Sequence, residues 1–373
     1  MIKLQPKENR VFQHSELGIA VVGAGRIGTR RATIAANHPG VRFLAVSDKE
    51  PSRARDLAKK VNAQFYSGDN LEVISRPEVN AVIVSTTEHE HSLPVLQALD
   101  LGKPVLVEKP IALTLEDADR MVMASQKTGT DLRVGYTRRF KRRFILGKEQ
   151  IVQGRLGQIV GGTGRVCNAR GAMLQILQRS PHATPVMDIL TYYVDLVSWF
   201  LEGNPPVEVV ARGQGGVFKA AGYTSDDITW ALLTFADGAV MSLGVCYNLP
   251  EKYPSFGQSV RLEIFGTEGV LLLDDDHRDQ ILYTDRGIPH SYVPGAGVNM
   301  AFLGSSSPGD WALGDFWGPL AIETRTWLDY LATGHPCINA TGREARKTLE
   351  VTLAIEQAVR EKKAVRLPLT GNE

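Results

Sequence analysis

Three patterns in the chain combine residue type and spacing in ways that suit chemistry. The first, Gly23-Ala24-Gly25-Arg26-Ile27-Gly28, follows an apolar run and opens a helix-period stretch, the context that gives a G-x-G-x-x-G string its meaning. Gly23 permits a tight turn, Gly25 lets a pyrophosphate approach the backbone, and Gly28 allows a helix to pack closely on a strand. The helix N-terminus then presents N–H groups to phosphate. The second is Asp48, twenty residues after Gly28, where a carboxylate accepts hydrogen bonds from the adenosine ribose and repels a 2′-phosphate. NAD is therefore expected over NADP, against the pull of the neighbouring cation Lys49; Asp48 also suits a cap for the helix that Pro51 opens. The third is Glu108-Lys109-Pro110, directly after the apolar run Val105-Leu106-Val107. A Lys at the carboxyl edge of a parallel sheet points to where open α/β folds bind ligands, and there its ammonium can orient a hydroxyl and stabilise developing alkoxide charge; a solvated surface lysine is the other reading, and the one these residues alone favour. Its bond to Pro110 is a candidate cis peptide.

Other chemistry is argued against. His89 and His91 sit one residue apart without a cluster to complete a metal site, so no metal is expected. Cys167, Cys246 and Cys337 are odd in number and widely spaced, which suits a reducing, cytoplasmic setting rather than a disulfide framework. The dense run Arg138, Arg139, Lys141, Arg142 and Arg143 reads as a solvated helix face, with attraction of an acidic substrate as its other reading. Arg170 and Arg179 would add to that attraction. Lys and Arg number 42 against 41 for Asp and Glu, so no global charge favours nucleic acid or an anionic membrane. Met1 to Glu16 contains no apolar signal region, and no 18-residue apolar run follows, so no membrane partner is expected.

The elements that must position these residues follow from periodicity. From Leu17 to about Tyr136, apolar runs alternate with helix-period stretches, as in βαβ units. Strands are expected at Leu17–Val22, Arg42–Ser47, Ala81–Ser85, Val105–Val107 and Leu132–Gly135, with helices near Arg26–Ala36, Pro51–Asn62, His91–Leu101 and Leu115–Lys127. This is an α/β, doubly wound parallel sheet over residues 1–137. Residues 138–373 read as an α+β domain whose β-rich runs Ile228–Phe235, Ala239–Val245 and Val260–Phe265 lack intervening helices, indicating a largely antiparallel sheet. Helices are expected at Val186–Leu201, Phe316–Thr333 and Arg343–Glu361, the last packing back on the first domain. Trp327 fits a buried helix face, while Trp311 and Trp317 suit a ring-shaped substrate.

The glycine fingerprint, Ser85-Thr86-Thr87, His91 and Gly102-Lys103-Pro104-Val105-Leu106-Val107-Glu108-Lys109-Pro110 together resemble the Gfo/Idh/MocA oxidoreductases, the family of glucose-fructose oxidoreductase and inositol dehydrogenase. The resemblance continues through Val134-Gly135-Tyr136-Thr137-Arg138-Arg139-Phe140 and Asp188 to Trp199, and covers Leu17 to about Pro368. It implies a Rossmann domain binding NAD through Gly23, Gly25, Arg26, Ile27, Gly28, Asp48, Ser85, Thr86, His91, Glu108 and Lys109, and a second domain for substrate binding and oligomerisation. Many members carry Asp-x-Gly-x-His where this chain has Asp188, Leu190 and Tyr192. The resemblance gives Asp188 to substrate and makes Tyr192 the proton acceptor, a residue shared with glucose-fructose oxidoreductase and dimeric dihydrodiol dehydrogenases. A phenol of pKa about 10 needs a neighbouring cation to act as base, and Lys109 is the candidate; Asp188 and Tyr192, four apart, share one helix face. Arg139 and Asn168 join Lys109, Asp188 and Tyr192 as expected substrate contacts, and His182 is a reserve acceptor in an irregular segment before Pro185. The expected activity is NAD-dependent oxidation of a secondary alcohol on a small cyclic polyol, a sugar or cyclitol, by a homodimer or homotetramer. A ring dihydrodiol, an NADPH-dependent reductase and a silent NAD-binding regulator are the alternatives.

Overall fold

Leu17–Val22 (β1) is an unbroken run of apolar and small residues, all six buried, as a strand covered on both faces requires. It pairs in parallel with β2 (Val41–Ser47), which pairs with β3 (Phe65–Ser67), and on its other side with β4 (Ala81–Val84), which pairs with β5 (Val105–Glu108). Helices α1 (Arg26–Ala36), α2 (Pro51–Val61), α3 (Asn70–Ile74) and α4 (Ser92–Asp100) provide the crossovers. The strand order reverses between β1 and β4, the switch point of a doubly wound fold. The short β3 and α3 had no signal in the apolar pattern.

The computed structural model describes residues 16–290, 293–306 and 308–369, and they group into two units. The first holds residues 16–108, 123–133 and 321–339. Its core joins Ile19, Val21, Val46, Ile83 and Leu106 on strands to Ala32 and Leu57 on helices and, from far along the chain, to Trp327 and Leu328. Trp327 is fully buried, as its helix period indicated.

The second unit holds residues 109–122, 134–320 and 340–369. Helix α5 (Leu115–Thr128) and strand β6 (Leu132–Gly135) each begin in one group of residues and end in the other. Then come α6 (Arg142–Val152), β7 (Ile159–Ala169), α7 (Arg170–Arg179), α8 (Thr191–Phe200), β8 (Pro206–Gln214), α9 (Val217–Ala220), β9 (Ile228–Phe235), β10 (Val240–Leu249), β11 (Gln258–Gly266) and β12 (Val270–Asp274). Two hairpins follow, β13 (Ile281–Pro289) with β14 (Gly297–Phe302), and β15 (Asp310–Ala312) with β16 (Asp315–Trp317). The chain ends through α10 (Pro319–Thr333), β17 (Ala340–Thr341), α11 (Gly342–Glu361) and β18 (Val365–Arg366).

The large sheet of this unit has the order β12-β11-β7-β10-β9-β8-β18. Its neighbours are antiparallel except β7 and β10, which run parallel. The pattern of apolar runs missed β7 because it reads Ile-Val-Gly-Gly-Thr-Gly, and glycine weakens the strand signal. Those glycines are spatially required: a Cβ at Gly162 would stand 2.2 Å from the Glu263 carbonyl oxygen. Helix α11 packs on α8 and β8 within this unit, and Thr341 with Glu344 forms a capping box at its start. The late segment grouped with the first unit is Ala321–Asn339, while the last helix, expected to pack back on the first domain, is grouped with the second unit. Among the described residues, no helix is long and apolar enough to cross a membrane.

Candidate functional site

In the first unit the turn from β1 to α1 is shaped by its glycines. Gly23 has φ 97°, and a side chain there would run into the Ser85 carbonyl oxygen at 2.6 Å; a Cβ on Gly28 would stand 1.8 Å from the Gly23 carbonyl oxygen. At Gly25 an added Cβ meets nothing within 4 Å, so the loop leaves an open cradle beside the start of α1. Gly25 is the N-cap and no side chain caps this helix, which leaves the helix end to an anion. Ile27 is half-buried and Arg26 exposed.

Asp48 ties the end of β2 to this loop, accepting from the Ala24 amide at 2.8 Å through Oδ2 and from the Glu50 amide at 2.9 Å through Oδ1. Glu50, not Asp48, is the N-cap of α2. Lys49 is paired with Glu90 at 2.9 Å, so the cation that would welcome a 2′-phosphate already has a carboxylate. Ser85 and His91 are buried, and Thr86 is half-buried. Glu108 accepts from Arg31 at 2.6 Å, and the fully buried Arg31 also holds Glu323 at 2.7 Å and Thr324 at 2.8 Å. The open cradle, the uncapped helix start and the carboxylate ending β2 fit a dinucleotide with free ribose hydroxyls.

In the second unit Lys109 comes directly after the last residue of β5 and makes a cis peptide bond with Pro110. Its Nζ donates to the Asp188 carbonyl oxygen at 2.6 Å and lies 3.4 Å from Asp188 Oδ1. The other carboxylate oxygen of Asp188 accepts from the phenol of Tyr247, on β10. Burial, then the negative charge of Asp188, pushes the Tyr247 phenol well above its usual pKa, so it stays a donor; Asn168 accepts from the Ala169 amide through Oδ1 at 2.9 Å. The Tyr192 ring lies under Lys109 Nζ at 5.0 Å and Arg138 Cζ at 4.3 Å, and stands edge-on to Tyr136 with 6.0 Å between centroids. Asp188 belongs to a π-helical turn, Val186–Leu190, that leads into α8. Such wide turns recur at functional sites, and no pattern in the sequence announced this one. Tyr247 was also missed, since a lone tyrosine in an apolar strand reads as core.

The basic run departs from expectation. Arg138, Arg139 and Lys141 are buried rather than part of a solvated face. Arg139, expected at the substrate, instead grips Asp195 through two bonds of 2.8 and 2.7 Å and reaches Glu344 at 3.1 Å. Burial alone would lower its pKa; the Asp195 charge more than offsets this and raises it. Lys141 pairs with buried Asp275, to which Arg143 adds a contact at 3.0 Å. A buried cation is stable only when paired in this way, so Arg139 and Lys141 serve the fold. Arg170 begins α7 and holds the Asn248 carbonyl oxygen at 3.3 Å, Arg179 ends that helix in solvent, and His182 is exposed in a turn. Trp311 and Trp317 are half exposed on the β15–β16 hairpin.

Similarity to known proteins covers most of the chain. Residues 17–136 match the profile described as an oxidoreductase family, NAD-binding Rossmann fold, and residues 144–272 match the C-terminal domain profile of the same Gfo/Idh/MocA group. A myo-inositol 2-dehydrogenase of Thermotoga maritima is 27% identical over 364 residues, which are 94% of this chain and 98% of that protein. A solved structure of a probable dehydrogenase from Thermotoga maritima superposes with a TM-score of 0.77 at 25% identity, covering 94% of this chain and 99% of that one. A scyllo-inositol dehydrogenase from Lactobacillus casei, solved with NAD(H) and scyllo-inositol, shares the fold with a TM-score of 0.75 at 19% identity, over 94% of this chain and 99% of its own.

Proposed function

This chain belongs to the Gfo/Idh/MocA family of NAD-binding oxidoreductases, and from that membership we propose that it is an NAD-dependent dehydrogenase oxidising one secondary alcohol of a small cyclic polyol, a cyclitol first. The similarity to inositol dehydrogenases supports the substrate class. The observation that carries the reading is the cluster of Lys109, Asp188, Tyr192 and Tyr247. NAD, when held by Gly23, Gly25, Gly28 and Asp48, supplies the hydride acceptor.

The remaining work falls to side chains of the second unit. Asp188, fixed by Lys109 and Tyr247, accepts a hydrogen bond from a substrate hydroxyl and sets the ring's orientation. Tyr192 takes the proton of the reacting hydroxyl. Lys109 and Arg138 against its ring favour the phenolate that accepts this proton and stabilise the negative charge that develops on the substrate oxygen. Asn168, on β7, offers its amide to a second hydroxyl. The protein works in the cytoplasm as a homodimer or homotetramer, which light scattering resolves. Steady-state reduction of NAD by a panel of inositol stereoisomers, aldoses and ring dihydrodiols tests the proposal. Turnover with a cyclitol is expected; turnover confined to dihydrodiols, or none with any alcohol, would overturn it.

A further inference from the structure

Cys167 on β7 and Cys246 on β10 are direct partners in the register of the parallel β7/β10 ladder. Adjacent strands lie about 4.8 Å apart, inside the Cα separation of about 4.4–6.8 Å that a disulfide spans. Both thiols are free and half-buried, and strand alternation puts them on the face opposite the buried Val166 and Val245. Arg165 Nη1 lies 3.4 Å from Cys167 Sγ. The adjacent Cys246 thiol first, and the guanidinium with it, lower the Cys167 thiol below its usual range, while the Cys167 sulfur and burial push Cys246 up. A thiol beside a guanidinium with a second thiol at the facing register position is the arrangement of a nucleophile with its resolving partner.

The position of this pair gives it a consequence. Each cysteine immediately precedes a residue of the site, Asn168 on β7 and Tyr247 on β10. The β7/β10 register breaks just beyond the pair, between Cys246 and Leu249, while on the other edge of β10 the Tyr247 amide extends the β9 pairing by donating to the Asp227 carbonyl at 2.8 Å. The hold of Tyr247 on Asp188 thus depends on the path of β10 at the point where the thiols meet.

We propose that Cys167 and Cys246 form a dithiol switch, which hydrogen peroxide closes to a disulfide that alters the local path of the two strands, shifts Tyr247 and Asn168, and reversibly lowers turnover. The Cys167 thiolate attacks the O–O bond, forming an S–OH group and releasing one oxygen as water. The Cys246 sulfur then displaces that hydroxyl as a second water, and the S–S bond forms. Two electrons pass from the sulfurs to the peroxide, and both thiol protons end in water. The effect on turnover rests on the dehydrogenase reading; the disulfide does not.

Peptide mapping and NAD-linked turnover, measured on the same peroxide-treated protein, test both parts. The expected result is a linked Cys167–Cys246 peptide with Cys337 still open to alkylation, together with a several-fold fall in turnover that dithiothreitol restores. Cys246→Ser should keep basal turnover and lose both the link and the reversible fall. No link in the treated wild-type protein would overturn the dithiol, and a link without change in turnover would overturn the switch. An untreated protein that oxidises no polyol would instead sink the dehydrogenase reading, with the mapping still deciding the dithiol.

Discussion

The two units build their sites from different materials. In the first, the cradle at Gly23–Gly28 is made of backbone, and its key side chain, Asp48, is held by two amides. In the second, the cluster is made of side chains of residues 109, 138, 188, 192 and 247, drawn from four separate stretches of chain, with 188 and 192 on one of them. A backbone site is coded locally, by glycines that no other residue replaces at those angles and distances. A side-chain site is coded by the whole fold, and each member looks ordinary in its own segment.

That contrast can be broken most forcefully at Arg139. Arg139→Ala should destabilise the second unit by about 3–5 kcal/mol, since it leaves buried Asp195 unpaired, while the turnover of the molecules still folded changes little. Denaturant unfolding beside kcat checks this, and a stable variant with a raised KM would return Arg139 to the substrate. Tyr192→Phe comes next. It should lower kcat on the order of a hundredfold with folding and NAD affinity kept, whereas His182→Ala, in its exposed turn, should leave kcat intact. A smaller effect, roughly tenfold in kcat/KM, is expected for Tyr247→Phe, which removes one hydrogen bond to the Asp188 carboxylate. The smallest concerns the first unit: Lys49→Ala breaks an exposed pair with Glu90 and should change the NAD to NADP preference less than about threefold. Cofactor titrations decide that, and a large swing would transfer control of the preference from Asp48 to Lys49.

Legibility followed the same division. Leu17–Val22 and Arg26–Ala36 have the boundaries read from the sequence because an apolar run, a glycine turn and a helix period all agree there. Lys109 was singled out by the family resemblance of Glu108-Lys109-Pro110, since its place after a strand suits a solvated lysine equally. Arg139 was misjudged because charge in a run suggests solvent, and only the fold brings Asp195 and Glu344 to it. Strand β7 was hidden by glycines that serve close packing, and the π-helical turn at Asp188 by an i, i+4 spacing that an ordinary helix would share. Cys167 and Cys246, distant in sequence, meet only through the pairing of β7 with β10.

The most direct measurement is on Lys109→Ala, with NAD affinity by calorimetry and cyclitol turnover on one preparation. Lys109 touches Asp188 and lies over Tyr192 in the second unit, while the dinucleotide cradle belongs to the first. The expected result is a fall in kcat of roughly two to four powers of ten with NAD affinity unchanged. Turnover that survives, or NAD binding that is lost in parallel, would contradict the assignment of the chemistry to the Lys109 cluster.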